Sequence, residues 1–181
     1  MHVVALTGVL IDTCRRAVMV EAHKRSMGIT VAELEPLIFE MGLYKAVIPA
    51  DLLYSEIHFW YRIGADGRTC AGLTAYAARL LTDLFRLDWS VKAGDDLSAE
   101  QVLGEVESTK AVSELYAPMS GKLLAINEAA VNDPSLIGVD PYQVWLFEFD
   151  CPPATAMSAA EYVQFLASGW EETVKLLKGQ V

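Results

Sequence analysis

Residues 104–121 read GEVESTKAVSELYAPMSG, and this stretch decides how the middle of the chain folds. The run QVLGEVES before Lys110 and the run AVSELYAPM after it both alternate roughly between apolar and polar residues. Alternation with a period of two is the pattern of a half-buried β-strand. We therefore predict two strands joined by a tight turn, with Lys110 at or near the turn and its amine in solvent.

The chain on both sides of this hairpin also consists of short strand-like runs separated by turn sequences. EIHFWYRI, TCAGLT, LFRLDW and VWLFEF are strand-like, and turn sequences such as GADGR and KAGDD separate many of the runs. Thr74 is placed to cap a short helix in AYAARLLTD. Many short strands with turns between them predict a mainly β core, a small antiparallel barrel or sandwich.

Helical patterns flank this core. Near the N-terminus a helix is predicted from a capping box and from apolar residues at helical spacing, with Pro36 either opening a shorter helix or kinking a longer one. The residues of this pattern are Thr30, Glu33, Leu34, Leu37, Ile38 and Met41. At the other end Ser158 and Glu161 form a second capping box, before a C-terminal helix that we expect to pack on the core.

These patterns predict three parts in the chain. Residues 1–48 form an N-terminal α/β extension of unknown role, which either docks a partner or adds packing to the core. Residues 49–155 form the β domain, and residues 156–181 form the C-terminal helix packed on that domain.

Charge and cysteine content exclude several classes of protein. The chain has 24 acidic and 14 basic residues, a formal net charge of -10, which argues against nucleic acid and anionic membranes as partners. Cys14, Cys70 and Cys151 lack metal-ligand spacing, so we expect no metal site and reduced thiols in the cytoplasm. The apolar run Val3–Ile11 is too short to span a bilayer, and a mitochondrial location is the alternative for a eukaryotic chain.

The flanks of Lys110 carry a string of short motifs. ESTKA is followed by APMSG, NEA, NDPSL and DPY, and then by Trp145, while YSEIHFW and AGLTAYA precede it. In this order and near this spacing the string closely resembles the lipoyl-lysine region of the glycine cleavage system H protein, from about Leu53 to Phe149.

The resemblance implies a lipoyl/biotinyl-type barrel-sandwich hybrid with flanking helices and lipoate attached covalently to Lys110. Glu107, Ser108, Ala111 and Glu114 would flank the arm or contact the ligase. The protein would be a carrier without catalytic residues of its own. It would shuttle an aminomethyl group between glycine decarboxylase, aminomethyltransferase and dihydrolipoyl dehydrogenase, after loading by a lipoate ligase or lipoyltransferase.

Other reactive side chains have structural interpretations. His58 lies in a predicted strand without a partnered nucleophile, so we expect it to be packed or hydrogen-bonded. No neighbouring residue in the sequence lowers the pKa of Cys70, so we expect it to fill core space. Tyr54, Trp60, Trp89 and Trp145 are predicted core aromatics because no basic patch accompanies them.

Three departures from the H-protein pattern keep other pathways open. The N-terminal extension is additional, DPYQVW is one residue shorter than the usual motif, and Phe59 stands where the family usually has Glu. One alternative is an H-like lipoate-binding protein of another pathway, such as bacterial sulfur oxidation. A second is an unmodified interaction scaffold. A biotinyl carrier is disfavoured because Thr109 and Ala111, not Met, adjoin the lysine.

Overall fold

The computed structural model describes residues 35–179, with side chains described through residue 176. Eleven strands and four helices lie within that range. In chain order they are β1 Leu37–Met41, β2 Tyr44–Ile48, β3 Leu53–Tyr54, β4 Phe59–Ile63, β5 Thr69–Leu73, α1 Ala75–Leu81, β6 Leu84–Trp89, β7 Asp96–Leu97, β8 Val102–Ser108, β9 Val112–Tyr116, β10 Gly121–Ile126, α2 Glu128–Asn132, α3 Leu136–Val139, β11 Phe147–Phe149 and α4 Ala159–Gly179.

Two antiparallel sheets form the body of the fold. One has six strands in the order β3-β4-β5-β11-β10-β7, and the other has three in the order β6-β8-β9. Side chains from both sheets share one core, in which Leu103 and Val106 of β8 lie with Phe59, Leu123 and Phe147 of the six-stranded sheet. The mainly β prediction and the barrel-sandwich hybrid with flanking helices, including a C-terminal helix, are confirmed.

Helix starts follow the sequence signals closely. Thr74 caps α1, where its hydroxyl accepts a hydrogen bond from the Ala77 N–H at 3.2 Å. Before α4, the carboxylate of Glu161 accepts from the Ser158 backbone N–H at 2.8 Å, and the Glu161 N–H donates to the Ser158 hydroxyl at 3.4 Å. This reciprocal pair is the predicted capping box, and it fixes where the C-terminal helix begins.

The helix predicted over Leu34–Met41 is wrong in the part that the structure describes. Residues 37–48 instead form the hairpin of β1 and β2, which turns through Gly42 at a φ of 67°. Leu37, Phe39 and Met41 also repeat with a period of two, and burial of the last two selects that period over the helical one. Thr30, Glu33 and Leu34 lie outside the described residues.

A second core joins this hairpin to the C-terminal helix. Phe39 and Ile48 of the hairpin share it with Trp60, Tyr76 and Tyr162. The Phe39 ring meets the rings of Tyr76 and Trp170 edge to face, at centroid distances of 5.8 and 5.6 Å. The hairpin therefore packs on the body of the fold through its inner face. Between residues 35 and 179 no helix has both the length and the apolar character needed to cross a membrane.

Candidate functional site

The turn between β8 and β9 places Lys110 at an exposed tip. Ser108, only 7% exposed, organises the turn from inside. Its hydroxyl accepts hydrogen bonds from the Lys110 and Ala111 N–H groups at 3.3 and 3.2 Å. The same hydroxyl donates to the Ala111 carbonyl at 3.1 Å, and the Ser108 N–H donates to that carbonyl at 2.9 Å. Thr109 and Lys110 are thus held at the end of a rigid strand pair.

Acidic side chains lie on the outer face of the same sheet. Glu107 is paired across the sheet with Val112 and has its carboxylate 3.8 Å from the guanidinium of Arg86. Glu114 accepts a hydrogen bond from the Tyr116 hydroxyl, which raises the pKa of that tyrosine. The outer face of the sheet beside Lys110 is therefore acidic, with one arginine among the carboxylates.

A groove of about 360 Å³ lies beside β9, which begins two residues after Lys110. Most of its lining is apolar, and the polar side chains include His58, Ser113 and Glu114. Apolar lining residues come from β4, β5, α1 and the lysine hairpin: Phe59, Leu73, Ala77, Leu80, Leu81, Val106 and Leu115. A flexible, largely apolar arm attached at the hairpin tip could make apolar contacts with the walls of this groove.

His58 lies in one wall of this groove, in a turn just before β4. Its φ of 65° is left-handed, so the prediction that it continues a strand is wrong. Its Nδ1 is 3.0 Å from the hydroxyl of Tyr162, which is in turn 3.0 Å from the hydroxyl of Thr74. Burial lowers the pKa of His58 to about 4, so the ring is neutral near pH 7. The structure confirms a packed, hydrogen-bonded histidine.

The shortened DPYQVW segment is anchored by residues of β4, of the first turn of α1 and of the N-terminus of α2. The indole N–H of Trp60 donates to the Pro141 carbonyl at 2.8 Å, and the hydroxyl of Tyr142 accepts from the Ala75 N–H at 3.2 Å. The Asn127 side chain donates to the Trp145 carbonyl at 2.7 Å. The turn that departs from the family pattern is therefore a fixed part of the fold.

The remaining predicted core residues are buried to different degrees. Tyr54 and Trp60 are fully buried, whereas Trp89 and Trp145 are partly buried. Cys70 is partly buried, and burial raises the pKa of its thiol, so it is poorly suited to act as a nucleophile. Across residues 35–179 no three His, Cys, Asp or Glu side chains come together as a potential metal site.

The sequence that forms the lysine hairpin and the groove matches a known protein family. The model of the family described as "Glycine cleavage H-protein" matches residues 52–176, which include the whole lysine hairpin and the groove. The chain belongs to the glycine cleavage H-protein family. The glycine cleavage system H protein of Thermobifida fusca is 40% identical over 120 residues, covering 65% of this chain and 94% of the relative.

More distant relatives and a solved structure agree with this assignment. A probable glycine cleavage system H protein of Thermococcus gammatolerans is 35% identical over 136 residues, covering 72% of this chain and 99% of the relative. The crystal structure of a glycine cleavage system H protein from Mycobacterium marinum has 38% sequence identity and a TM-score of 0.59. That match covers 65% of this chain and 97% of the Mycobacterium chain.

The exposed turn position of Lys110 agrees with the sequence prediction, but the hydrogen bonds that hold this turn were not predicted. The sequence predicts Ser108 only to flank the arm or contact the ligase, although a serine whose hydroxyl can bond to the backbone two residues on is a recognisable turn signal. The hydrogen-bonded chain of His58, Tyr162 and Thr74 joins residues up to 104 positions apart. Local patterns hold no signal for such a contact.

Proposed function

We propose that the chain carries lipoate as an amide on the Nζ of Lys110 and acts as a non-catalytic carrier. Membership of the H-protein family gives it a carrier role in glycine cleavage. The observation that supports the attachment site is the position of Lys110, which is exposed at the turn. The backbone N–H groups of Lys110 and Ala111 both donate to the buried Ser108 hydroxyl. A modifying enzyme can reach such an amine without unfolding the domain.

The chemistry of the neighbouring residues fits this group. Amide formation removes the charge of Lys110 and leaves a long apolar arm that can leave solvent. When bound, lipoate would supply an S–S bond that is reduced as one sulfur takes up the aminomethyl group, and the dithiol left after the group is passed on would need reoxidation. The groove beside β9 supplies apolar walls from Phe59 and Leu81, and these walls exclude water from an arm that folds back from the tip.

The residues around the tip have separate roles in this proposal. Ser108 holds the turn, and Ala111 keeps the approach to Lys110 free of a large side chain. Glu107 and Glu114 flank the arm and offer carboxylates to a basic surface of the lipoate ligase or lipoyltransferase. The loaded carrier then meets glycine decarboxylase, aminomethyltransferase and dihydrolipoyl dehydrogenase in turn.

The parts of the chain divide these tasks. We assign the carrier activity to the domain of residues 49–155 and a supporting role to the helix of residues 156–181. Residues 1–48 form an addition to the carrier, part of which is the hairpin of β1 and β2. We place the carrier in the cytoplasm, where its three cysteines would stay reduced.

The mass of the intact protein tests the proposal. The chain is expressed with lipoate and a lipoate ligase, beside Lys110→Arg and the matched control Lys122→Arg, which alters an exposed lysine of β10. We expect one lipoyl increment on the wild type and on Lys122→Arg, mapped to Lys110, and none on Lys110→Arg. An unmodified wild type in the presence of several ligases would refute the carrier assignment.

Reconstitution tests the pathway separately from the attachment. The lipoylated chain is added to glycine decarboxylase and radiolabelled bicarbonate, and exchange of the label into glycine is followed. We expect exchange with the lipoylated wild type and background exchange with Lys110→Arg. Lipoylation without exchange would leave the arm in place and reject glycine cleavage as its pathway.

A further inference from the structure

A buried chain of hydrogen bonds connects the C-terminal helix α4 to the wall of the groove. The hydroxyl of Tyr162 lies 3.0 Å from the hydroxyl of Thr74 and 3.0 Å from Nδ1 of His58. Tyr162 and Thr74 are both fully buried, whereas His58 is partly buried and lines the groove. The contacts of these three residues determine which ring nitrogen of His58 carries the proton.

Backbone and ring contacts hold His58 in one orientation. The Thr74 N–H donates to the His58 carbonyl at 3.0 Å, and the His58 N–H donates to the Ser55 carbonyl at 3.1 Å. The imidazole lies against the ring of Tyr76 at a centroid distance of 4.7 Å and against the ring of Phe165 at 6.0 Å. The ring therefore has little freedom to turn over and exchange the positions of its two nitrogens.

The hydroxyl of Thr74 sets the direction of the hydrogen bonds. Its oxygen accepts from the Ala77 N–H at 3.2 Å, as the cap of α1. Its hydrogen needs an acceptor, because Thr74 is fully buried and buried polar groups are almost always paired. Among the described residues the acceptor within reach is the Tyr162 oxygen. Thr74 therefore donates to Tyr162.

The remaining protons follow from this direction. A tyrosine hydroxyl has one hydrogen, and with its oxygen accepting from Thr74 the Tyr162 hydroxyl donates to Nδ1 of His58. Burial keeps His58 neutral near pH 7, so its ring carries a single proton. Because Nδ1 accepts, that proton lies on Nε2. The reverse direction would leave the buried hydrogen of Thr74 without an acceptor, which is unfavourable.

We propose that Thr74 and Tyr162 hold His58 as the Nε2–H tautomer, and that this N–H is a positioned hydrogen-bond donor for an arm that lies in the groove. Within residues 35–176 the hydrogen bond of the His58 ring is made by Nδ1, which leaves Nε2 for a ligand. The lipoyl arm offers uncharged acceptors, its amide oxygen and its sulfur atoms. A neutral N–H can bond to them without bringing a charge into a largely apolar groove.

Tyr162 and Thr74 are positioning residues in this proposal, since they act through His58. The use of the N–H by the arm rests on the proposed lipoyl carrier function. The tautomer of His58 does not rest on it, because the hydrogen bonds that set the tautomer lie within the chain itself. The two parts can therefore be measured separately.

NMR of the unmodified full-length protein tests the tautomer. Long-range ¹H–¹⁵N spectra distinguish a protonated Nε2 from a protonated Nδ1, and His58→Asn identifies the His58 signals among those of the three histidines. Near pH 7 we expect a protonated Nε2 and an Nδ1 signal displaced by the hydrogen bond that it accepts. This displacement should vanish in Tyr162→Phe. A protonated Nδ1 in the wild type, or an Nδ1 signal unchanged in Tyr162→Phe, would overturn the proposal.

Tyr54→Phe is the matched control for these spectra. Tyr54 is also fully buried, and its ring stacks on that of Tyr162 at a centroid distance of 4.7 Å. Its hydroxyl donates to the Pro49 carbonyl at 2.6 Å, outside the chain that reaches His58. The control thus removes one buried hydroxyl from the same core, and we expect it to leave the Nδ1 signal in place.

Release of the carried group tests the use of the N–H donor. Each chain is lipoylated, checked by intact mass, loaded with glycine and glycine decarboxylase, and separated from that enzyme. Ammonia released by hydrolysis of the aminomethyl group is then followed. We expect release to be about tenfold faster from Tyr162→Phe than from the wild type, the factor for one lost hydrogen bond. Tyr54→Phe should change it by less than about twofold.

Equal release from Tyr162→Phe and Tyr54→Phe would overturn the role of His58 toward the arm. A wild type that is not lipoylated or not loaded would instead refute the proposed function. The NMR spectra of the unmodified chain distinguish that failure from a wrong tautomer, because they need neither lipoate nor a partner enzyme.

Discussion

The buried hydroxyl of Ser108 accepts a hydrogen bond from the backbone N–H of Lys110 at 3.3 Å, so an interior side chain fixes the residue at the exposed tip. The same hydroxyl bonds to both polar backbone groups of Ala111. Presentation of the lysine thus depends on an oxygen that a modifying enzyme cannot reach.

Removing this oxygen should loosen the turn without unfolding the domain. In Ser108→Ala three hydrogen bonds of the turn are lost, and we expect the free energy of unfolding to fall by about 1–2 kcal/mol. The initial rate of enzymatic lipoylation should fall roughly threefold to tenfold, because the productive turn becomes less populated. Thr109→Ala, at the exposed neighbouring position, is the control. Equal rates for both variants would show that Ser108 does not position Lys110.

His58 should make the stability of the domain depend on pH. Its folded pKa of about 4 lies below the ordinary value of 6.5, so the unfolded chain binds more protons between these values. Stability from this residue is therefore present above about pH 6.5 and is lost as the pH falls toward 4, by up to about 3 kcal/mol.

His58→Asn isolates that contribution, because asparagine tolerates the left-handed φ of 65° and does not titrate in this range. Urea unfolding of both proteins at pH 7, 6, 5 and 4 gives the comparison. We expect the wild type to lose more stability than the variant on acidification. Parallel pH profiles would mean that the pKa of His58 is the same in the folded and unfolded chain.

Phe39 should stabilise the contact between the added hairpin and the body of the fold. It is 6% exposed and lies against Tyr76 and Trp170, so Phe39→Ala removes a buried ring and leaves a cavity. We expect a loss of about 3 kcal/mol in denaturant unfolding. Lys45→Ala, in the exposed ion pair of the same hairpin, should cost less than about 1 kcal/mol. A cost for Phe39→Ala as small as that of the control would mean that the hairpin is not docked.

Gly72 should tolerate no side chain, since the backbone passes close to an aromatic ring there. A Cβ at this position would lie 2.6 Å from Cζ2 of Trp60 and 2.7 Å from the Val144 carbonyl oxygen. We expect Gly72→Ala to destabilise the protein by about 2 kcal/mol or more. Gly138→Ala is the control, because nothing lies within 4 Å of its Cβ and helix α3 favours alanine there. A neutral Gly72→Ala would show that β4 and β5 can separate at this point.

Local signals were enough for most of the β fold and for the exposed turn position of Lys110. Alternation around Lys110 predicted β8 and β9, Thr74 predicted the start of α1, and Ser158 predicted the start of α4. The signals failed where two periods fitted the same residues. Leu37 to Met41 satisfied both a helical and a strand pattern, and burial against α4, which follows more than 100 residues later, selected the strand.

Long-range contacts account for the rest of the site. The hydrogen bond between His58 and Tyr162 exists because α4 packs over the turn that begins β4, and neither residue signals the other in the sequence. The groove beside β9 arises in the same way, since its walls come from four separate stretches of the chain. Sequence patterns could name the lysine but not the surface next to it.

Because the interior is divided into two cores, we expect the protein to unfold locally in two separate units. The lysine hairpin belongs to the core between the two sheets, while the β1–β2 hairpin and α4 share the other. We expect β1, β2 and α4 to open together as one cooperative unit in native-state hydrogen exchange, because each covers the other's apolar face. The strands that carry Lys110 should open separately and at higher free energy. Substitutions in β1, β2 and α4 could therefore accumulate during evolution without changing how Lys110 is presented.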